Sequence, residues 1–190
     1  MIALKSKAGF TLLELLVVIC IIALVAGFSA PLWNGLSESS SHRQVVNSMQ
    51  RMFATARSYA VTHHTLITIC PLSQKQTCTD QWNNLISIFP DQNNDKKPDD
   101  SRVLHVFDLS SQNTRVTSRT AGRGYFQIAP SGMSHGTMGS LIVCTTSDKQ
   151  SFLMTYLALN IGGRLRSVRD DDDNGVIRLP WGTKIHCPKT

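Results

Sequence analysis

The strongest constraint on this chain is an apolar run that occupies residues 10–28, close to its amino terminus. Thr11 and Glu14 are the only strongly polar side chains in the run. A short basic leader, with Lys5 and Lys7, precedes it. An apolar stretch of this length can span a bilayer as a helix. Because a carboxylate near the start of such a helix is costly in hydrocarbon, Glu14 is predicted to be functional, with a cationic partner.

Two simpler interpretations of the run leave Glu14 unexplained. An ordinary secretory signal would end in a small-residue cleavage site, and residues 26–30 have that composition. A plain amino-terminal anchor is the other alternative. Because positive charge stays cytoplasmic, the basic leader predicts that everything after Pro31 lies on the far side of the membrane.

The cysteines beyond the apolar run are expected to form disulfides, because compartments on the exported side of a membrane are oxidising. Four cysteines can pair in three ways. We predict Cys70–Cys78, which closes a short loop, and Cys144–Cys187, which ties a central strand to the carboxyl end. Cys20 lies in the apolar run and is expected to be a small buried residue. No pair has zinc-knuckle spacing, and neither a metal nor a cofactor is expected.

The rest of the chain changes from a helical to a strand-like pattern. Apolar residues recur at spacings of three and four from Val45 to Tyr59, which predicts an amphipathic helix ending near Thr62. Pro31 interrupts the preceding helix without necessarily ending it. Short β-like runs separated by turn residues follow, at 65–70, 85–89, 103–107, 124–128, 140–144, 151–159 and 176–179. This is an α+β layout with one domain beyond the apolar run.

The string Gly9-Phe10-Thr11-Leu12-Leu13-Glu14 resembles the class III signal of type IV pilins and pseudopilins. The resemblance implies that a prepilin peptidase cuts between Gly9 and Phe10 and that the new amino terminus, on Phe10, is methylated. It also implies that Glu14 pairs with the terminal amine of a neighbouring subunit and sets axial register during assembly.

Motifs farther along are similar, in their order, to the minor-pilin family named after GspH and FimT. They are residues 56–60, Cys70-Pro71, Trp82, Asp91-x-Asn93-x-Asp95, residues 128–132 and Gly163-Arg164-Leu165-Arg166. The resemblance implies a lollipop in which a long helix packs on a head of antiparallel strands in two sheets. The expected divisions are a cleaved leader (1–9), a transmembrane and assembly helix (10–31), an amphipathic half of the stem helix (32–63) and a periplasmic head (64–190).

Arg164 and Arg166 are two residues apart, so on an extended segment they point the same way. Guanidinium groups bind phosphates without distinguishing the base sequence of a nucleic acid. In the FimT branch a Gly-Arg-x-Arg element is associated with DNA capture, and the resemblance implies weak, salt-sensitive binding of double-stranded DNA. The candidate residues are Arg164, Arg166, Arg169 and Lys184. The alternative is that these arginines are only solvated, and that residues 170–173 neutralise them or repel DNA at the same place.

Three further groups of residues are given structural interpretations. Arg115, Arg119 and Arg123 form a second basic cluster, which is predicted to be a solvated loop; the alternative is that it extends the candidate DNA-binding surface. Asp91-x-Asn93-x-Asp95 and Asp170-x-Asp172-x-Asn174 resemble calcium loops but lack the closing glutamate, so turns are predicted, with calcium a minor alternative at 170–174. The polar context of His42, His63 and His64 does not indicate metal. Ser131 and His135 lack a nucleophile-elbow string, and no enzyme activity is predicted.

The resemblance therefore implies a minor pilin at or near the tip of a type IV pilus that contributes to DNA uptake. The alternative is a GspH-like pseudopilin of a type II secretion system without DNA binding. The expected partners are the prepilin peptidase, other pilins or pseudopilins and the inner-membrane assembly platform. The expected location is the bacterial inner membrane, single-pass with a periplasmic head, and then the pilus at the cell surface.

Overall fold

The computed structural model of the protein describes residues 11–111, 113–136, 138–146, 152–172 and 174–187, without the side chains of 28–38. The expected cleavage site at Gly9 and Phe10 lies outside the described residues. The chain divides into two compact units, residues 1–37 and 38–190. The second unit therefore takes in the last part of the long helix together with the strands.

The helix α1 spans Leu12–His63. Thr11 caps its amino end, because the backbone N–H of Glu14 donates to Thr11 Oγ1 at 3.3 Å. Glu14 thus sits in the first turn, where the helix dipole favours a carboxylate. The expectation that Cys20 is buried is wrong for this unit: Cys20 is a free, exposed thiol, and the large apolar side chains around it are exposed as well.

Among the described residues, no helix is long and apolar enough to cross a membrane.

Within the second unit, α1 buries one face, as the periodicity predicts. Met49, Met52, Ala56 and Ala60 are fully buried there, since they recur every three or four residues and therefore share a side of the helix. The helix ends at His63, and His64 adopts a left-handed conformation (φ 49°) that turns the chain away.

In the described residues, ten strands and one 3₁₀ turn follow the helix. They are β1 (Ile67–Pro71), β2 (Ile86–Pro90), the 3₁₀ turn (Asp99–Ser101), β3 (His105–Phe107), β4 (Thr114–Arg119), β5 (Phe126–Ile128), β6 (Ser140–Thr146), β7 (Phe152–Leu159), β8 (Leu165–Arg169), β9 (Val176–Arg178) and β10 (Lys184–His186). The first sheet has the order β3-β2-β1-β5 and the second β4-β6-β7-β8, while β9 and β10 form a hairpin. All the strand pairs are antiparallel.

The main core lies between α1 and the two sheets. At its centre the ring of Phe126 packs edge-on against both Phe53 of the helix and Trp82, with centroid distances of 5.3 and 5.4 Å. Such aromatic pairs contribute about 0.5–1.5 kcal/mol each beyond the area they bury. The indole N–H of Trp82 donates to Asp80 Oδ1 at 3.1 Å, so this buried polar atom is satisfied.

The two faces of the second sheet pack against different parts of the protein. Its inner face, which carries Leu141 and Leu157, joins the main core. Its outer face carries Ile142 and Met154, which form a smaller core with Ile177 and two other apolar residues of the β9–β10 hairpin and its flank. The hairpin therefore covers part of the outer face.

Two disulfides join Cys70 to Cys78 and Cys144 to Cys187, the two pairs expected from the sequence. The second bond fastens the carboxyl end of the chain, just beyond β10, to the outer face of the second sheet.

Three strands, β4, β8 and β10, were not predicted as strands. The interpretation of Arg115 and Arg119 as part of a solvated loop is wrong, because both lie in β4, paired to β6 along its whole length. β4 is an edge strand with exposed arginines, so its composition is too polar to be recognised from hydrophobic alternation.

Candidate nucleic-acid interface

The turn between β7 and β8 needs a glycine at position 163. Gly163 has a φ of +71°, and a Cβ built on it would overlap the carbonyl oxygen of Gly132, well under the 3.0 Å that real Cβ atoms keep. The backbone and side-chain oxygens of Asn160 close the turn by accepting the N–H groups of Gly163 and Arg164, both at 3.0 Å. The glycine of the Gly-Arg-x-Arg element is therefore a structural requirement of the turn.

The same carbonyl oxygen is tied to the helix. Arg57 Nε donates to Gly132 O at 3.0 Å. Gly132 is itself in a left-handed conformation (φ +78°), and a Cβ there would lie 2.8 Å from Val61 of α1. Three motifs that are far apart in the sequence, around Arg57, Gly132 and Gly163, thus meet at one point.

Arg164 follows Gly163 and lies at the rim of a groove of about 620 Å³ between the end of α1 and the start of β8. Arg57, Ser58 and Thr62 of the helix line the other side. Arg164 and Arg166 are both exposed. Within the described part of the chain, neither guanidinium group has a hydrogen-bond or ion-pair partner, so both are available to an external anion.

The candidate arginines do not all lie on one face of the sheet. Arg166 pairs with Ala158 of β7 and points to the outer face, whereas Arg169 pairs with Thr155 and points to the inner face. Side chains alternate along a strand, so an odd separation along β8 puts these two arginines on opposite sides. The structure therefore separates Arg169 from Arg166.

Arg169 instead lines a cleft of about 350 Å³ with Arg43, Asp171 and the buried side chain of His42. Burial, and to a smaller extent the charge of Arg169, lowers the pKa of His42 from 6.5 to about 4. The imidazole is thus neutral at pH 7, and its two nitrogens lie 2.8 Å from Thr145 Oγ1 and 2.8 Å from Thr155 Oγ1. One nitrogen donates and the other accepts, which pins α1 to β6 and β7.

The structural role of His42 is not evident from its immediate neighbours in the sequence, which are polar. His42 lies three and four residues before Val45 and Val46, which places it on the buried face of the helix. That spacing is the signal that could have revealed it.

Lys184 lies on the hairpin directly opposite Arg178. Both side chains are exposed, while Ile177 and Ile185 between the hairpin and the sheet are buried. The two cations therefore project away from the sheet on its outer side. Like charges in this arrangement destabilise a strand pair, so a bound anion would relieve a repulsion that is built into the hairpin.

The carboxylate of Asp170, the residue after Arg169, accepts hydrogen bonds within its own loop. Asp170 is 9 % exposed, and its carboxylate accepts the backbone N–H groups of Gly175 at 2.6 Å and Asp172 at 3.3 Å. The carboxylate organises the turn from 170 to 175 and does not pair with the arginines of β8. Asp173 lies outside the described residues.

The loop that begins at Asp91 is organised in the same way. The buried Asp91 carboxylate accepts the hydroxyl of Thr68 at 2.6 Å and the backbone N–H of Lys96 at 3.2 Å. Lys96 holds the left-handed conformation (φ 64°) that a glycine takes in calcium loops. Among the described residues, no group of three or more His, Cys, Asp or Glu side chains is placed to hold a metal ion.

A long amino-terminal helix followed by a head of antiparallel strands defines a type IV pilin-like protein. The family model described as type II transport protein GspH matches residues 45–159, and the prokaryotic N-terminal methylation motif matches residues 4–30. The chain therefore belongs to the GspH family and is a minor pilin or pseudopilin of the GspH/FimT type. That family consists of structural filament subunits rather than enzymes.

A solved structure of a type IV minor pilin has the same fold. A crystal structure of the type IV minor pilin FimU from Pseudomonas aeruginosa strain PAO1 is 16 % identical and matches with a TM-score of 0.51, covering 74 % of this chain and 98 % of that one. A second crystal form of FimU, also 16 % identical, has a TM-score of 0.49 and covers 70 % and 97 % of the two chains. No curated protein matches the chain.

Proposed function

We propose that this protein is a minor pilin, incorporated at or near the tip of a type IV pilus, whose head binds duplex DNA during uptake. Membership of the GspH/FimT family and a fold shared with a type IV minor pilin support the first part. Residues 10–31 anchor the subunit in the inner membrane before assembly, after a prepilin peptidase has cut between Gly9 and Phe10. The head then lies in the periplasm and reaches the cell surface with the filament.

One observation carries the DNA-binding part: the glycine-locked turn presents Arg164 and Arg166 exposed and without partners within the described residues. Arginine binds phosphate bidentately through a planar fork of N–H donors. Contacts of this kind carry no sequence information, so binding is indifferent to sequence and depends strongly on salt.

Lys184 belongs to the same surface, because the hairpin that carries it covers the outer face to which Arg166 points. Arg169 is left out of the proposed contact, since it points to the inner face and lines the cleft around His42. This division makes Arg169 a matched control: it lies on the same strand as Arg166, with the same charge and the opposite orientation.

The test is binding of a fluorescent duplex by the full chain in a neutral detergent at low salt. The Arg164→Gln/Arg166→Gln variant is expected to lose about a hundredfold or more in affinity, because it removes two charge-assisted contacts that contribute roughly 1.5–3 kcal/mol each. The Arg169→Gln variant is expected to bind like the wild type. Equal losses in the two variants would contradict this assignment, as would no binding by the wild type.

Assembly is tested separately through Glu14, which lies in the first turn of α1. We expect Glu14→Ala to leave membrane insertion intact and to remove the protein from sheared filaments, because the carboxylate that pairs with the terminal amine of a neighbouring pilin is gone. Wild-type amounts of the variant in filaments would contradict the register role.

A second candidate is a GspH-like minor pseudopilin of a type II secretion system, and the description of the matching family favours it. In that case the partners are fellow pseudopilins and the inner-membrane assembly platform, and DNA has no part. Neither function requires a cofactor. Co-purification with secretion pseudopilins, together with an absence of DNA binding at low salt, would select this candidate.

A further inference from the structure

An unbroken row of paired residues joins two arginines across the outer face of the second sheet. Arg119 of β4 lies opposite Ser140 of β6. Ser140 lies opposite Ala158 of β7, which in turn lies opposite Arg166 of β8. With neighbouring strands about 4.8 Å apart, three strand spacings place the Cα atoms of the two arginines roughly 14 Å apart.

The two arginines stand at the ends of this row with only small side chains between them. Ser140 is 4 % exposed and Ala158 is half-buried, whereas Arg119 and Arg166 are exposed. All four share the outer face with Ile142, because residues paired across strands point to the same side of a sheet. This row, with a guanidinium group at each end and small side chains between them, is called the saddle.

We propose that Arg119 and Arg166 both bind one DNA duplex. Each arginine contacts a phosphate backbone of the duplex, which lies over Ser140 and Ala158. This inference rests on the proposed function and names the second half of its contact surface. The surface thus extends from the strand that carries the Gly-Arg-x-Arg element to the far edge of the sheet.

The separation of the arginines suits a ligand that carries several phosphates. Guanidinium groups on Cα atoms roughly 14 Å apart can each contact a different phosphate of one ligand. A polymer with repeated phosphates meets both, and that spacing is comparable to the width of the major groove of B-DNA, about 12 Å, across which two backbones face each other.

The charges on the outer side fit a polyanion. Arg115 points to the same face as Arg119, four residues along β4, and is exposed. The hairpin adds Arg178 and Lys184, which project beyond the part of the outer face that the hairpin covers. The cations of two edge strands and of the hairpin thus surround the saddle.

Two kinds of substitution test the inference in the full chain in neutral detergent, with a labelled duplex as the probe. Arg119→Gln is expected to weaken binding roughly tenfold, as loss of one charge-assisted contact does. It is also expected to make the salt slope, d log K/d log[salt], shallower by about 0.9. Arg169→Gln again serves as the control with the opposite orientation.

The second test places a charge in the saddle without touching an arginine. Ala158→Glu and Ala158→Gln have nearly the same shape, so their difference reports the charge alone. Ala158→Gln is expected to retain most of the binding and Ala158→Glu to lose it, since a carboxylate between the two arginines pairs with them and repels phosphate. Circular dichroism verifies the fold of each variant, and Arg119→Gln carries the test if the position 158 variants do not fold.

The outcomes separate this inference from the proposed function. Absence of wild-type binding at low salt overturns both. Wild-type binding that is lost in Arg164→Gln/Arg166→Gln but unchanged in Arg119→Gln and equal in the two position 158 variants overturns the inference alone. The DNA would then be held along the β8 edge and not across the sheet.

Discussion

Gly163 lies so close to Gly132 that no side chain fits between them, because a Cβ on Gly163 would overlap the carbonyl oxygen of Gly132. That oxygen also accepts the Nε–H of Arg57. The contact joins the β7–β8 turn, the loop after β5 and the end of α1. It thereby fixes the backbone position of Arg164, the residue that follows Gly163.

The contact predicts that Gly163→Ala is more destabilising than an ordinary glycine substitution. The left-handed conformation costs about 1–2 kcal/mol for a residue with a Cβ, and forcing an atom into a packed site adds typically about 1–3 kcal/mol. We expect a loss of about 2–5 kcal/mol in the free energy of unfolding, measured by urea titration.

Gly122→Ala is the matched control for this prediction. Gly122 also has a positive φ, +79°, but a Cβ there would meet nothing within 4 Å. It is expected to lose only the conformational part, about 1–2 kcal/mol. Equal losses for Gly163→Ala and Gly122→Ala would show that the Gly132 contact is unimportant.

The buried imidazole of His42 predicts a loss of stability in mild acid. The pKa of His42 is lowered from 6.5 to about 4 in the folded protein, so between these values the unfolded chain binds more protons. Stability is therefore highest above pH 6.5 and falls as the pH approaches 4, where the loss is complete. A gap of roughly 2.5 units corresponds to about 3 kcal/mol.

The measurement is urea unfolding at a series of pH values, for the wild type and for His42→Gln. The glutamine variant cannot titrate, so its stability is expected to be lower at pH 7.5 and to change less between pH 6.5 and pH 4. The same pH dependence in both proteins would mean that other groups, such as the charged residues around the cleft, cause it.

The two disulfides are expected to contribute unequally. The Cys144–Cys187 bond closes a sequence separation of 43 residues and the Cys70–Cys78 bond one of 8. In the chain-entropy account, loops of these sizes correspond to about 4 and about 2.5 kcal/mol of stabilisation. The double alanine variant of the longer pair should therefore unfold at the lower urea concentration; the reverse order would contradict the entropic account here.

The helix and the buried strands could be predicted because their apolar residues repeat with a clear period. Met49, Met52 and Ala56 mark one side of α1, and the runs around Ile69 and Ile88 are almost wholly apolar. β4, β8 and β10 could not be recognised in this way. Arg115 and Arg166 point to solvent from edge strands, so burial imposes little pattern on their sequences.

The candidate site was predictable only in part. Arg164 and Arg166 are both exposed, but grouping Arg169 with Arg166 ignored the alternation of side chains along β8. The alignment of Arg119 with Arg166 could not be predicted from the sequence, because it depends on the registers of three strand pairs. Register is a tertiary property, and no short motif encodes it.

The most direct test of the central claim is the salt dependence of duplex binding by the full chain, compared with Arg164→Gln/Arg166→Gln. With Arg119, Arg164, Arg166 and Lys184 on phosphates, we predict that log K falls linearly with log[salt], with a slope of about −3.6 between roughly 50 and 200 mM. The double variant should have a slope shallower by about 1.8. No binding at the lowest salt, or identical slopes for the two proteins, would contradict the account.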